Sequence, residues 1–263
     1  MYIINIISKY GDISILIYIG KQMTIIDSIK TSMLVPIHQA GIPFIAIFAI
    51  LTIIIGWFWI PLYFVGLVLT VWCIYFFRNP TRVTPVLSGV NKNNLIISPA
   101  DGRVIEISKI TPNEEIGLPD GDWTRVCVFM NVFDVHVNRS PMQGKVTYKN
   151  YVPGSFLNAS LDKASSDNER LILGMETENG KNIAFVQIAG LVARRIICDV
   201  DIGSPLRAGQ VFGLIRFGSR VDIYFPSEAS VMVLKGQKMI AGETIIGDFT
   251  KSSKSVQEKL DEE

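Results

Sequence analysis

Thirty-five consecutive residues, Pro43 to Phe77, carry no charged side chain, and this run limits the chain more than any other feature. As one straight helix at about 1.5 Å per residue it would reach roughly 52 Å, far beyond a hydrocarbon core of about 30 Å. Its centre, Gly56-Trp57-Phe58-Trp59-Ile60-Pro61, supplies a break. Proline ends helices, and tryptophan favours the membrane interface. The pattern therefore predicts two helices, about 44–58 and 62–77, forming a hairpin with a tryptophan-rich tip. Lys21 and Lys30 precede it, and Arg78, Arg82 and Lys92 follow. An excess of basic residues marks the cytoplasmic side, so both ends are expected there. Each helix is short for a full crossing, which leaves a re-entrant or shallow hairpin open. A buried helix pair of a soluble core is disfavoured by the charge-free length. His38, just before the hairpin, reads as an interfacial residue.

The flanks differ in character. Residues 1–33 mix isoleucine with Lys9, Asp12, Lys21, Asp27 and Lys30, and lack the ordered regions of a secretory signal. They read as an N-terminal extension, with disorder an option, and Met23 and Met33 are alternative starts. Residues 34–85 hold the hairpin and a linker, Asn79–Pro85, with two prolines. From 86 to 250 short β-prone stretches alternate with Gly, Pro, Asn and Asp. Candidate strands are 95–98, 103–107, 125–132, 145–152, 170–175, 182–187, 193–198, 211–217, 221–225, 231–234 and 244–249. Strands this short and frequent predict a mainly β protein, a sandwich or barrel-like catalytic domain behind an N-terminal hydrophobic helical hairpin. Residues 251–263 form a charged, Ser-rich tail. A net charge of +1 gives no global field for nucleic acid. Cys73, Cys127 and Cys198 are widely separated and there are only two histidines, so a zinc site of several Cys or His ligands is not expected.

Four stretches in the β-rich part carry candidate chemistry. Ser98-Pro99-Ala100-Asp101-Gly102 is a tight turn between strands, and Asp-Gly is ordinary turn chemistry. In Asn131–Pro141, alternation puts Asp134, His136, Asn138 and Ser140 on one strand face, a solvent-facing or site-lining surface. Arg194 and Arg195 point opposite ways on a strand, so at most one serves a site; an arginine can clasp a phosphate or carboxylate. Arg216–Pro226 reads as strand, tight turn, strand, with Gly218-Ser219 at the bend. Gly-Ser also occurs at 154–155 and 203–204, so only context distinguishes this one. The Gly-rich turn Gly236–Glu243 resembles biotinyl and lipoyl carrier domains, although the Met-Lys-Met landmark is missing.

In order, the Asp-Gly turn, Val135–Pro141, the long segment Asn158–Arg170 and Arg216–Asp222 resemble the phosphatidylserine decarboxylase proenzymes in their short bacterial and archaeal form. The resemblance runs from about Val35 to Phe249. Phe-Gly-Ser-Arg stands here where the long form has Leu-Gly-Ser-Thr. The resemblance implies self-cleavage between Gly218 and Ser219 into chains 1–218 and 219–263, which stay together as a heterodimer, with further oligomerisation left open. It also implies that Ser219 becomes a pyruvoyl group, with no metal or PLP, that forms an imine with phosphatidylserine and yields phosphatidylethanolamine and CO₂. Asp101 and His136 are the matching catalytic positions, with Asp101 orienting the imidazole and His136 the candidate acid for protonation after CO₂ leaves. Arg194, Arg195 and Arg139 are candidates for substrate binding. The implied location is the cytoplasmic face of the cell (inner) membrane, and no nucleic-acid partner is expected. Two other readings stand beside this one: a membrane-tethered carrier-like or adaptor β-domain without catalysis, and a decarboxylase for another serine-headed lipid.

Overall fold

The computed structural model describes residues 35–86, 91–160, 164–190, 195–216 and 218–252. The extension 1–33, Arg194 and the tail beyond Ser252 lie outside the described residues. The described residues from Pro36 onward belong to one compact unit.

Two apolar helices come first, α1 (Ile42–Phe58) and α2 (Ile60–Phe76). Each has a proline in its first turn, where the missing N–H would have had no intrahelical partner. Between them Trp59 is extended, at φ −153° and ψ 107°, so it stops one helix and starts the next. The helices close on small residues. A Cβ on Gly66 would lie 2.5 Å from Thr52 Oγ1, and one on Gly56 would lie 2.7 Å from the Tyr63 ring. Thr52 Oγ1 and Thr70 Oγ1 meet at 3.2 Å, and each hydroxyl also donates to a carbonyl one turn back. Close backbone approach through Gly and Thr is how helices pair where water supplies no driving force. Most large apolar side chains point outward, and Trp57 and Phe58 at the tip are 86% and 82% exposed. The stretch Gln39–Phe58 is long and apolar enough to cross a membrane. At the root, Cys73, Phe76 and Phe77 turn inward and pack on Val135, Val137 and Leu214, which docks the hairpin on the β-rich part.

The strands are β1 (Leu95–Ile97), β2 (Gly102–Ile110), β3 (Trp123–Met130), β4 (Val137–Arg139), β5 (Gly144–Val152), β6 (Arg170–Thr177), β7 (Asn182–Ile188), β8 (Ile196–Cys198), β9 (Pro205–Leu206), β10 (Val211–Ile215), β11 (Ser219–Pro226), β12 (Ala229–Val231), β13 (Lys238–Met239) and β14 (Ile245–Ser252). The protein is mainly β: a curled, half-barrel sheet runs β13-β2-β3-β11-β7-β6-β5-β9, and two three-stranded sheets run β1-β14-β12 and β4-β10-β8. Strand β11 is central. It pairs antiparallel with β3 along Ser219–Pro226 and with β7 along Arg220–Tyr224. Val221, Ile223 and Phe225 enter the main core with Val126, Val128, Met130, Phe185 and Ala189. Tyr224 lies on the opposite face with Ile172, Ala184, Val186 and Ile188.

Two sequence expectations change. The Arg216–Pro226 stretch is not a hairpin, because β10 pairs with β4 and β8 whereas β11 lies in the other sheet. Ser219 is therefore the first residue of a central strand rather than a turn residue. Alternation fixes which face a residue takes but not which strand lies beside it. Strands β4, β9 and β13, of two or three residues, are too short for periodicity to reveal.

The helix contact predicts that Gly66→Val forces the pair apart. Thermal melts in detergent should show a loss of about 1–3 kcal/mol. An unchanged melt would mean that α1 and α2 do not touch at Gly66.

Candidate active site

Between β10 and β11 the chain passes from one sheet to the other at Gly218, whose φ of +59° is left-handed. A Cβ there would meet nothing within 4 Å, so glycine is needed for its dihedral rather than for room. The opposite holds at Gly190, just beyond β7. A Cβ on Gly190 would lie 1.9 Å from the Gly218 carbonyl oxygen, so that carbonyl rests in a notch only glycine can provide. The next residue, Ser219, is completely buried, and its Oγ has no hydrogen-bond partner. Gly190 escaped the sequence reading, since one glycine after a strand looks like any other loop glycine.

His136 reaches this junction from the residue before β4. Its Nε2 accepts the Gly218 N–H at 3.2 Å, while Nδ1 lies 3.0 Å from the Asp134 carbonyl oxygen. A carbonyl only accepts, so Nδ1 carries the proton and Nε2 holds the lone pair. Both contacts select the same tautomer. The ring packs on Phe76 of α2, with centroids 4.3 Å apart. Burial pushes the imidazole pKa down to about 4, and Arg78 acts in the same direction, so the ring is neutral at neutral pH. The polar face expected at 134–140 is mostly sealed: His136, Asn138 and Ser140 are buried, and Ser140 Oγ is spent on the Met142 carbonyl.

Asp101, expected to orient the imidazole, is held by other groups. Its carboxylate accepts from Arg82 at 2.8 Å and from the Ala241 amide at 2.8 Å, and it makes no hydrogen bond to His136. Burial raises the Asp101 pKa against the pull of these two donors. The group orienting His136 is the Asp134 carbonyl, a backbone atom that side-chain patterns cannot reveal. Asp101 instead belongs to a clamp on the linker. Arg139 grips Asn79 Oδ1, the Pro80 carbonyl and the Gly209 carbonyl, and Glu243 accepts the Val83 N–H. The Arg139 guanidinium is thus committed to the chain itself. The Gly236–Glu243 turn, which resembles carrier domains in sequence, places β13 beside β2 and aims the Ala241 amide at Asp101.

Arg195 is exposed, and its carbonyl accepts the Arg216 N–H at 3.3 Å. The Arg216 guanidinium lies over the Phe44 ring of α1, 4.7 Å from its centroid, and its buried Nε has no partner. Neither arginine forms an ion pair among the described residues. Burial lowers the Arg216 pKa, with Arg195 adding to the effect. Of the segment Asn158–Arg170, Asn168 is the structural anchor. It bonds Leu157 through both backbone groups and the Ala189 carbonyl at 2.7 Å, which holds the end of β7 in place.

The model of the family described as phosphatidylserine decarboxylase matches residues 69–247, well over half of the chain. The chain belongs to that family. Membership indicates phosphatidylserine decarboxylase activity, and the family is in general pyruvoyl-dependent and membrane-associated.

The sealed imidazole predicts a pH dependence. His136 titrates at 6.5 when unfolded and at about 4 in the fold, so acid protonates the unfolded chain first. Stability should therefore fall as pH drops from 6.5 toward 4, by roughly 3 kcal/mol from this group. His136→Gln should flatten that limb in denaturant melts. An unaltered limb would mean that the imidazole is not held neutral.

Proposed function

We propose that the chain cuts itself between Gly218 and Ser219, converts Ser219 into a pyruvoyl group, and uses it to decarboxylate phosphatidylserine to phosphatidylethanolamine and CO₂. The observation that carries this reading is the Ser219 hydroxyl, buried and unpartnered beside a carbonyl lodged against Gly190. An unpaired buried hydroxyl costs about 1–3 kcal/mol, which a merely structural serine would avoid.

In this reading the Ser219 oxygen adds to the Gly218 carbonyl carbon and the C–N bond breaks. An ester replaces the amide, and the hydroxyl proton ends on the freed nitrogen. Loss of the Ser219 α-proton then expels the Gly218 carboxylate, and water releases the nitrogen as ammonia. A neutral imidazole with its lone pair on Nε2 is suited to take the hydroxyl proton. For this, Nε2 must exchange the Gly218 N–H for the neighbouring hydroxyl. Asp101 acts in support, tying the linker to the Ala241 turn. A pyruvoyl group at residue 219 supplies an α-keto carbonyl that draws off the electron pair left by departing CO₂. The surroundings fit such a group, since residue 219 is enclosed and its side-chain oxygen is committed to no protein donor.

Arg195 and Arg216 are the arginines best suited to the lipid phosphate, because neither is neutralised by a carboxylate and Arg216 stands two residues before the cut. The hairpin would hold this pair at the bilayer surface, on the cytoplasmic face of the inner membrane. There a head group can enter while its acyl chains stay in lipid. Chains 1–218 and 219–263 remain together because β11 stays paired on both edges.

Intact mass checks the reading directly. Wild-type protein should give two chains, the smaller covering 219–263 with a pyruvoyl cap, and Ser219→Ala should give one uncut chain. Gly190→Ala displaces the Gly218 carbonyl and should slow cleavage about a hundredfold. A wild-type chain that stays whole yet decarboxylates would overturn the mechanism.

A further inference from the structure

Gln187 lies in β7 directly opposite Val221 of β11, so its side chain leaves the sheet on the face that Val221 shares with Ser219. It is fully buried. Its Nε2 donates to Asn138 Oδ1 at 2.8 Å and toward the Ile197 carbonyl at 3.4 Å, which uses both amide hydrogens. Asn138 is fully buried as well, and its Nδ2 faces the sulfur of Met130, the β3 residue in register with Ser219. The Gln187 amide is therefore fixed in orientation, and its Oε1 meets no donor. Four buried side-chain atoms among the described residues lack a partner, and two of them, Gln187 Oε1 and Ser219 Oγ, share this face. A carbonyl oxygen held in this way can only accept a hydrogen bond. It repels a carboxylate or phosphate and suits a group that carries N–H.

We propose that Gln187, steadied by Asn138, is the residue that recognises the primary amine of the aminophospholipid head group at residue 219. This inference rests on the decarboxylase reading and deepens it. It assigns the amine to Gln187 and the phosphate to the Arg195–Arg216 side. It also gives a specificity rule: a quaternary ammonium of the same charge has no N–H and forfeits the contact.

The test is a binding measurement on the processed enzyme after borohydride reduction of its keto group, so that no covalent adduct forms. Calorimetric titration with dihexanoyl phosphatidylethanolamine and dihexanoyl phosphatidylcholine gives an affinity ratio. Wild type should favour the primary amine by about tenfold. Gln187→Leu should lose that preference, and Gln187→Met, closer in volume, repeats the test if the leucine variant fails to fold. Gln187→Glu keeps an acceptor in place and should retain or widen the preference. Equal ratios in wild type and the apolar variants, or no preference in wild type, would overturn the assignment even though the enzyme is cut and active. A wild-type chain that is never cut and never active would instead remove the reading on which the assignment rests.

Discussion

The structure depends on one strand being enclosed on every side. β11 is hydrogen-bonded along both edges and buried on both faces from Ser219 to Phe225. A strand in that position cannot leave polar groups to water, so each needs a partner or a purpose. Arg220 and Asp222 are both fully buried on the side away from the main core and satisfy one another at 2.5 and 2.7 Å. Such a pair adds little net stability, but losing one member costs about 3–5 kcal/mol. Ser219 begins the same strand and has no such partner. Strong pairing of β11 is what allows an unsatisfied hydroxyl to be kept there.

A second consequence concerns the hairpin. Its root meets residues of the candidate site: Phe76 covers the His136 ring, Phe44 lies under Arg216, and the linker is tied to Asp101 through Arg82. The apolar contact that docks the hairpin also strips water from the imidazole and keeps it neutral. The docking of the hairpin and the neutral state of His136 thus rest on the same side chains.

Two kinds of position shape the candidate site. Glycines set the backbone, Gly218 by its left-handed dihedral and Gly190 by the room it leaves for a carbonyl. Amides set the polarity, with Gln187 and Asn138 locking one another so that a single acceptor stays unspent. Neither kind carries a charge or a nucleophile, so neither stands out in a search for reactive residues.

Much of the fold can be read from the order of the residues. A charge-free run broken at Trp59 and Pro61 leaves little but a helical pair, and the observed helices begin and end within two residues of those expected. Most of the longer strands follow from alternation, since a half-buried pleat has a period of two. The flanking motifs drew attention to Gly218-Ser219 and His136, which the fold brings into contact through the Gly218 N–H. Tertiary structure alone decided which strands are neighbours, and so that β10 and β11 part into different sheets and Ser219 opens a buried strand. It also decided that Asp101 turns to Arg82, that Arg139 is spent on the linker, and that the imidazole is steered by a backbone carbonyl. The physical reason is the same in each case. Local pattern records the face a side chain takes, whereas partners and burial depend on segments far away in the chain.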